Sequence, residues 1–393
     1  MSEPSAAARA ATREKLLGAV TAAAAILAAQ CAIEEAQATL TPASIAALVA
    51  SGVLMMKAPI VLGGSECDPV TQLEVIEALA AINSSAAWCT MVGATSLGMP
   101  GAFLPDAGVA RMFAGAAHPR GAILVSATGV ATPVAGGYRL QGRWAFASGI
   151  RHAEWVTVVA RVPRAAPAEP AIHVLVLPAA ECLIQDNWQV TGLKGTGSCD
   201  IVVNDVFVPL EMSWNAQTDG PRRGGALYRL GLPAFVANEH AGFALGLARR
   251  ALDGLTAIAQ AKRRGYSSNA ITMADRGTVQ RLLGRAEMRL RAARGLALAV
   301  NEEAWATVCA GQVLSLEQQT ATRSAAVYAT EVAAEIVTES FRYAGGSAIY
   351  QGHFMQRCLR DINVAAQHFM VSDTAYELLG RVRLGFTDLD PMS

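Results

Sequence analysis

The sequence predicts an α+β protein with an N-terminal helical domain (1–118), a middle antiparallel β-domain (119–215) and a C-terminal four-helix bundle (216–393). Three observations predict this order. Apolar residues in the first region recur at three- and four-residue steps, as in helices. The second region contains short runs rich in Val, Ile and aromatic residues, as in strands. The third region returns to long helical periodicity, so a β-domain is predicted between two helical regions.

The composition and charge of the chain argue against several classes of function. The chain has 393 residues, of which 52% are hydrophobic and 16% charged, so it can bury a large core or subunit interfaces. Lys+Arg and Asp+Glu both number 32, and this balance offers no net attraction to nucleic acid or to an anionic membrane. The seven cysteines form no CxxC pair and no Cys/His cluster at metal-ligand spacing. We therefore expect a cytoplasmic protein with reduced thiols, no metal site, and neither nucleic acid nor membrane as a partner.

The N-terminal region begins with an alanine-rich stretch, LLGAVTAAAAILAAQCA at 16–32, which could be mistaken for a signal peptide. Gln30 before Cys31 does not suit a lipoprotein-type cleavage site, and helical periodicity continues beyond it. An amphipathic helix is therefore favoured, and no run is long and apolar enough to predict a membrane span. The turn-rich segment KAPIVLGGSECDP (57–69) separates this helix from a second helical stretch that contains Trp88.

Four runs in the middle region predict strands: GGYRLQGRWAFASG, EWVTVVARV, AIHVLVLPA and CDIVVNDVFVP. The turn GTGS (195–198) comes directly before the last run. It could cradle a phosphate, contact another cofactor group or form a plain β-turn whose glycines supply positive φ. No Lys-Ser/Thr follows its glycines and no helix is predicted to begin there, which argues against a P-loop. The other two interpretations stay open for Thr196 and Ser198.

The C-terminal region contains three long periodic stretches with many Ala, Gly and Ser residues, beginning at GFALGLARR, RGTVQRLLG and QQTATRSAA. Small residues on one face let helices pack closely, so these stretches predict a bundle or a bundle-mediated oligomer.

Four segments, in this order, resemble the acyl-CoA dehydrogenase superfamily over nearly the whole chain. They are GRWAFASGIRHAEWV (142–156), GLKGTGSCDIVVNDVFVP (192–209), AKRRGY (261–266) and YAGGSAIYQGHFMQRCLRDINVAAQH (343–368). The final Gln-His pair is most similar to the two-component flavin-dependent monooxygenases of the hydroxyphenylacetate hydroxylase and dibenzothiophene monooxygenase types.

The resemblance implies an acyl-CoA dehydrogenase-like fold, reduced flavin (FADH2 or FMNH2) as the cofactor, O2 as co-substrate and a small aromatic or polycyclic substrate. It also implies a homotetramer and a separate NAD(P)H-flavin reductase. No GxGxxG follows a strand and opens a helix, so the sequence itself predicts no nicotinamide domain. Substrate identity and the choice between FAD and FMN are left open by the sequence.

The resemblance places Phe146 beside the flavin ring and Ser148 within hydrogen-bonding reach of flavin N5, with Gly149 in the same turn. An aromatic ring suits an apolar π-face, and a hydroxyl can donate or accept at N5. Trp144, on the same predicted strand, is interpreted as core. His152, which follows the turn, is expected to have a structural role.

Cofactor contacts across subunits are also implied. Arg263 matches an arginine that reaches the flavin phosphate of a neighbouring subunit, and Tyr266 matches an aromatic residue three positions later. Gly345 and Gly346 match a glycine pair whose backbone approaches a neighbour's cofactor. Both matches have a simpler explanation. The arginine could lie at a solvated helix end, and the glycines could end a helix.

The chemistry predicted by the resemblance depends on His368. Acyl-CoA dehydrogenases need a carboxylate base, but no acid lies between Asp361 and Asp373, and His368 stands at the expected position. We therefore predict a monooxygenase that works through a C4a-hydroperoxyflavin, with His368 as proton donor or acid/base and Ser148 opposing proton loss at N5. One alternative is an acyl-CoA dehydrogenase-type desaturase with a displaced base, Glu239 or Glu377, and another is a catalytically decayed flavin-binding scaffold.

Candidates for a substrate pocket are Trp88, Ser96 and Thr196. Several phenol hydroxylases of this branch carry a second histidine after the tryptophan, where this chain has Thr95 and Ser96. Two interpretations follow: the phenolate-activating base is missing from this chain, or the substrate is not a simple phenol. Trp88 also has the spacing of an ordinary core residue.

Overall fold

A computed structural model describes residues 5–115, 118–164, 169–264 and 271–392. The chain forms two compact units. Unit 1 consists of Met1–Cys67, Trp88–Val190 and Lys194–Tyr228, and unit 2 consists of Asp68–Ala87, Thr191–Leu193 and Arg229–Ser393. These boundaries differ from those of the three predicted domains, and the three-domain division stays a prediction.

The elements of the described residues confirm the predicted α+β class. The helices are α1 (Ala6–Gln37), α2 (Pro42–Ser51), α3 (Pro69–Ile82), α4 (Ser84–Phe103), α5 (Asp106–Met112), α6 (Leu232–Ala261), α7 (Gly277–Cys309), α8 (Leu316–Ala344), α9 (Phe354–Ala365) and α10 (Thr374–Arg383). The strands of the main sheet are β1 (Gly121–Val134), β2 (Gly137–Ala147), β3 (Trp155–Val162), β4 (Ala171–Pro178), β5 (Leu183–Gln185), β6 (Cys199–Pro209) and β7 (Ser213–Asn215).

Helix α1 is amphipathic, as predicted. Ser5 caps its start by accepting a hydrogen bond from the Ala8 N–H, and its buried residues follow a helical repeat: Leu16, Val20, Ala23, Leu27, Cys31 and Glu34. By length and composition alone this helix could cross a membrane. The expectation that no run is long and apolar enough for a membrane span was therefore wrong. Its buried stripe is that of a helix packed against protein.

The sheet of unit 1 has the strand order β5-β6-β2-β1-β3-β4-β7. All four runs predicted as strands are confirmed, as β2, β3, β4 and β6, and β1 was not predicted as a separate strand. The pairings are antiparallel except between β1 and β3, which run parallel from Gly121–Trp155 to Leu124–Val158. The antiparallel prediction was wrong at this one pairing, because the short connection Ile150–His152 turns the chain back after β2 and lets β3 follow the direction of β1.

Trp144 on β2 is part of the core of unit 1, as predicted, and is 1% exposed. Its Nε1–H donates to the Val159 carbonyl at 2.9 Å. A Cβ added to Gly129 would lie 2.1 Å from the indole ring, and one added to Gly142 would lie 2.9 Å from it. These two glycines therefore make room for the Trp144 indole in the sheet core.

Unit 2 is built on α3 and the long helices α6, α7 and α8, with α9 and α10 packed against α8. A Cβ on Gly242 would lie 2.3 Å from the Leu73 carbonyl oxygen, and one on Gly246 would lie 2.2 Å from the Glu77 carbonyl oxygen. The glycines of α6 thus let its backbone approach α3 closely, which confirms that small residues mediate the helix packing.

Candidate active site

Three hydroxyl groups of unit 1 form a buried cluster, which we call the hydroxyl cluster: Ser148, Thr196 and Ser198. The Ser148 and Ser198 oxygens lie 2.7 Å apart, and so do those of Ser198 and Thr196. The indole N–H of Trp88 donates to Ser148 Oγ at 3.1 Å. The exposed fractions are 5% for Ser148, 1% for Thr196 and 3% for Ser198, so these groups satisfy one another away from water.

The backbone at the end of β2 presents Ser148 and Phe146 in different ways. Phe146 has φ 66°, a rare conformation for an aromatic residue, where the β2–β6 register is irregular. The residue is 71% exposed, and its ring meets Trp188 edge-on at 6.3 Å between ring centroids. The local twist therefore turns the Phe146 ring outwards while Ser148 stays inside.

The GTGS turn lies beside the end of β2, because it leads into β6, whose first residue Cys199 pairs with Ala147. Lys194–Thr196 form a short 3₁₀ turn, and the Thr196 carbonyl accepts a hydrogen bond from the Gly149 N–H at 2.9 Å. Gly149 and Gly197 have φ 78° and 54°. The turn leads into β6 and opens no helix, so the structure agrees with the argument against a P-loop. The structure brings Thr196 and Ser148, distant in sequence, into one group.

His152 packs behind this turn. A Cβ on Gly149 would lie 3.1 Å from the His152 Nε2 atom, and the His152 carbonyl accepts a hydrogen bond from Arg120 Nε at 2.9 Å. Burial, reinforced by the Arg120 cation, lowers the pKa of His152 to about 4. Within the described part of the chain its buried Nδ1 has no hydrogen-bond partner. This position is consistent with the structural role expected from the sequence.

The Ser96 hydroxyl bonds to its own helix and not to the hydroxyl cluster. It donates to the Gly93 carbonyl at 2.7 Å and is fully buried. A Cβ on Gly121 would lie 2.3 Å from this oxygen, so Ser96 fills space beside the start of β1. Next to it, Thr95 Oγ1 accepts a hydrogen bond from the buried Lys57 ammonium at 3.0 Å. The geometry gives Ser96 a packing contact, and its place in a substrate pocket stays a prediction.

Unit 2 contains a pair of stacked histidines. The rings of His240 on α6 and His368 after α9 have centroids 4.4 Å apart and are tilted by 31°. The Met370 N–H donates to His368 Nδ1 at 3.3 Å, and Phe369 packs on the same ring at 4.7 Å between centroids. Burial lowers the pKa of His368 to about 4, so the ring is neutral at neutral pH. His240 was not singled out from the sequence.

The Arg-Asp pair before His368 anchors the start of the GLKGTGS stretch within unit 2. Asp361 accepts hydrogen bonds from the Ser84 hydroxyl at 2.5 Å and from the Leu193 N–H at 2.7 Å. Arg360 donates to the Thr191 carbonyl at 2.7 Å. A Cβ on Gly192 would lie 2.3 Å from the Arg360 carbonyl oxygen, so only glycine fits there.

Three of the residues predicted to contact a neighbour's cofactor lie in unit 2: Arg263, Gly345 and Gly346. Arg263 follows the end of α6 and is exposed. Gly345 ends α8 with φ 81°, and a Cβ on Gly346 would meet nothing within 4 Å. Tyr266 lies outside the described residues. Both the helix-stop interpretation of the glycines and a cofactor contact are compatible with this geometry.

The two displaced bases considered for a dehydrogenase have different environments. Glu239 is 1% exposed on α6, beside His240 in sequence, whereas Glu377 is exposed on α10. No acid replaces His368 in the segment between Asp361 and Asp373.

A family model described as "Acyl-CoA dehydrogenase, C-terminal domain" matches residues 239–373. The chain is 30% identical to indole-3-acetate monooxygenase of Pseudomonas putida over 345 residues, which cover 86% of each protein. It is 28% identical to the oxygenase component of an FADH(2)-dependent resorcinol hydroxylase of Rhizobium sp. (strain MTP-10005), over 64% of this chain and 65% of that protein. The solved structure of XiaF from Streptomyces sp. in complex with FADH2 and glycerol superposes with a TM-score of 0.88 at 25% identity, covering 98% of each chain.

Proposed function

This chain belongs to the flavin-dependent monooxygenases of the acyl-CoA dehydrogenase superfamily, and we propose that it oxygenates an indole-type aromatic substrate as the oxygenase component of a two-component system. It is an oxidoreductase that uses reduced flavin and O2, with the predicted acyl-CoA dehydrogenase-like fold. Membership of this family argues against the two alternatives, an acyl-CoA dehydrogenase-type desaturase and a catalytically decayed flavin-binding scaffold. An aromatic substrate and a separate reductase fit the names of the relatives.

The observation that carries this proposal is the arrangement of Phe146 and Ser148. An aromatic residue that is 71% exposed is held outwards by a backbone of positive φ, two residues before a buried hydroxyl that already has polar neighbours. An exposed aromatic face next to an ordered hydroxyl suits a tricyclic ring with a polar edge. The residues present thus fit a flavin, with Phe146, Ser148 and Gly149 as its contacts in unit 1.

Bound reduced flavin would supply the activation of oxygen, which protein side chains cannot provide. Ser148 would hold the polar edge of the flavin, because its oxygen is fixed by Trp88 and Ser198. Burial of the hydroxyl cluster excludes water from that edge, and water exclusion strengthens each hydrogen bond there. Thr196 and Trp88 remain candidates for substrate contact.

His368 would act as a neutral hydrogen-bond donor in this proposal. Its Nδ1 accepts from the Met370 N–H, so the neutral ring carries its proton on Nε2. Its pKa of about 4 keeps it in that form at neutral pH. Such a group can donate to a reacting oxygen without bringing a positive charge to the site.

The assembly is part of the proposal. Arg263 and Gly346 are exposed, and a Cβ on Gly346 would meet nothing within 4 Å, as expected if these residues contact the flavin of a neighbouring copy. Gly345, beside Gly346, is partly exposed. An arginine suits a flavin phosphate because it forms bidentate, charge-assisted hydrogen bonds. We propose a cytoplasmic homotetramer for this enzyme.

The decisive experiment measures oxygen consumption and product together. With NADH and FAD or FMN alone, the purified protein is expected to consume no oxygen, and adding a flavin reductase should produce oxygenated indole or indole-3-acetate, detected by mass spectrometry. A panel of phenols provides the comparison for substrate class. Equal oxygen consumption with every aromatic compound, all of it recovered as hydrogen peroxide, would contradict the proposed function.

A further inference from the structure

The hydroxyl cluster is a chain of hydrogen bonds whose direction the protein leaves open. The Trp88 N–H can only donate, so Ser148 always accepts at that link. The other two links, from Ser148 to Ser198 and from Ser198 to Thr196, join hydroxyls at 2.7 Å, and either oxygen of each pair can be the donor. The direction of these links therefore depends on what Ser148 meets on its remaining side.

The two links must reverse together. Each hydroxyl carries one proton, and among the described residues the Ser198 side chain has only Ser148 and Thr196 as partners. If Ser148 donates to Ser198, then Ser198 has to donate to Thr196. If Ser148 donates elsewhere, Ser198 donates to Ser148 and Thr196 donates to Ser198. Any mixed arrangement leaves either the Ser198 proton without an acceptor or one of the two 2.7 Å oxygen–oxygen contacts without a proton.

We propose that this chain reverses with the redox state of the bound flavin and that Ser198 is the positioning residue that permits the reversal. The inference rests on the proposed function, in which flavin N5 lies at the Ser148 hydroxyl. N5 of oxidised flavin is a hydrogen-bond acceptor, whereas the N5–H of reduced flavin is a donor. Ser148 donates to the oxidised form and accepts from the reduced form, and its own proton then goes to Ser198.

Ser198 matters more for one redox form than for the other. With reduced flavin, Ser148 accepts from Trp88 and from the flavin, so its proton needs Ser198 as an acceptor. With oxidised flavin, the Ser148 proton goes to N5, and loss of Ser198 leaves only a spare lone pair. Because Ser148 is 5% exposed, water cannot readily replace the missing partner. Removal of the Ser198 hydroxyl should therefore weaken binding of reduced flavin selectively.

The test compares dissociation constants of oxidised and anaerobically reduced FAD and FMN by calorimetry. In Ser198→Ala the ratio of the reduced-form constant to the oxidised-form constant is expected to rise about tenfold. For a two-electron couple a tenfold change lowers the potential of the bound flavin by about 30 mV. The matched control is Thr157→Val, which removes a buried hydroxyl of the same sheet that has no hydrogen-bond partner among the described residues. Its ratio should stay that of the unchanged protein.

A double-mutant cycle separates positioning from loosening of the fold. Since Ser198 acts through Ser148, adding Ser198→Ala to Ser148→Ala should change the ratio no further. An unchanged ratio in Ser198→Ala, or an equal rise in Thr157→Val, would overturn the inference and leave the proposed function intact. Failure of the unchanged protein to bind either flavin form would instead overturn the proposed function and this inference with it.

Discussion

The hydroxyl cluster of unit 1 and the histidine pair of unit 2 stabilise their polar groups in different ways. Both keep polar groups in a poorly hydrated environment. In the cluster, neutral hydroxyls pair with one another at 2.7 Å, and their protonation does not change over the physiological pH range. In the pair, two imidazoles stack at 4.4 Å between centroids, and burial keeps His368 uncharged. Of these two groups, only the histidine pair contains a residue whose protonation changes at moderately acid pH, namely His368.

This difference indicates that the two groups suit different roles. A hydroxyl chain reorients without gaining charge, so it can follow a change in the hydrogen-bonding character of its ligand. A histidine with a lowered pKa holds one proton on a defined nitrogen and resists taking a second. Acid titration and substitution of single residues distinguish the two behaviours.

The largest expected effect is acid destabilisation from unit 2. The pKa of His368 is about 4 in the folded protein, below its ordinary value of 6.5, so the unfolded chain takes up a proton at higher pH. Stability is therefore full above pH 6.5 and falls as the pH drops from 6.5 to 4, by up to about 3 kcal/mol for this residue. Urea unfolding at pH 7 and at pH 4.5 measures the loss. In His368→Gln, which cannot take up the proton, the loss should be smaller, and an identical loss would remove His368 from the explanation.

The second prediction concerns activity. His368→Ala should lower product formation about 100-fold, because a positioned proton donor contributes at least that much. Binding of reduced flavin should change little, and hydrogen peroxide should replace the product. The matched variant His240→Phe keeps a flat ring against His368, so we expect a loss of less than about tenfold. Equal losses in the two variants would indicate that the pair serves packing alone.

Much of the fold could be predicted from local pattern. Strands β2, β3, β4 and β6 alternate or concentrate β-branched residues. Of the two glycines in the GTGS turn, Gly197 has the positive φ expected for a plain turn. The resemblance carried by WAFASG and QH led to the family, which the comparisons confirm. The roles given to individual site residues stay predictions.

The remaining features depend on contacts that a single sequence does not encode locally. The parallel pairing of β1 with β3 and the membership of α3 in unit 2 are choices between distant partners. His240 occurs in an alanine-rich helical pattern without a motif, and only its stacking on His368 distinguishes it. Ser96 was selected for its position after Trp88, but the direction of its side chain depends on helix packing beside Gly121.

The smallest expected effect tests the pairing argument within unit 1. Thr157 on β3 is 1% exposed, and its hydroxyl has no hydrogen-bond partner among the described residues, in contrast to the hydroxyls of the cluster. Thr157→Val keeps the shape and removes a buried polar group, so the free energy of unfolding should rise by up to about 1 kcal/mol. Ser198→Ala should lower it by about 1 kcal/mol, because Ser148 and Thr196 each lose a partner. Urea unfolding at pH 7 compares the two variants, and a loss of stability in Thr157→Val would mean that this hydroxyl is satisfied in solution.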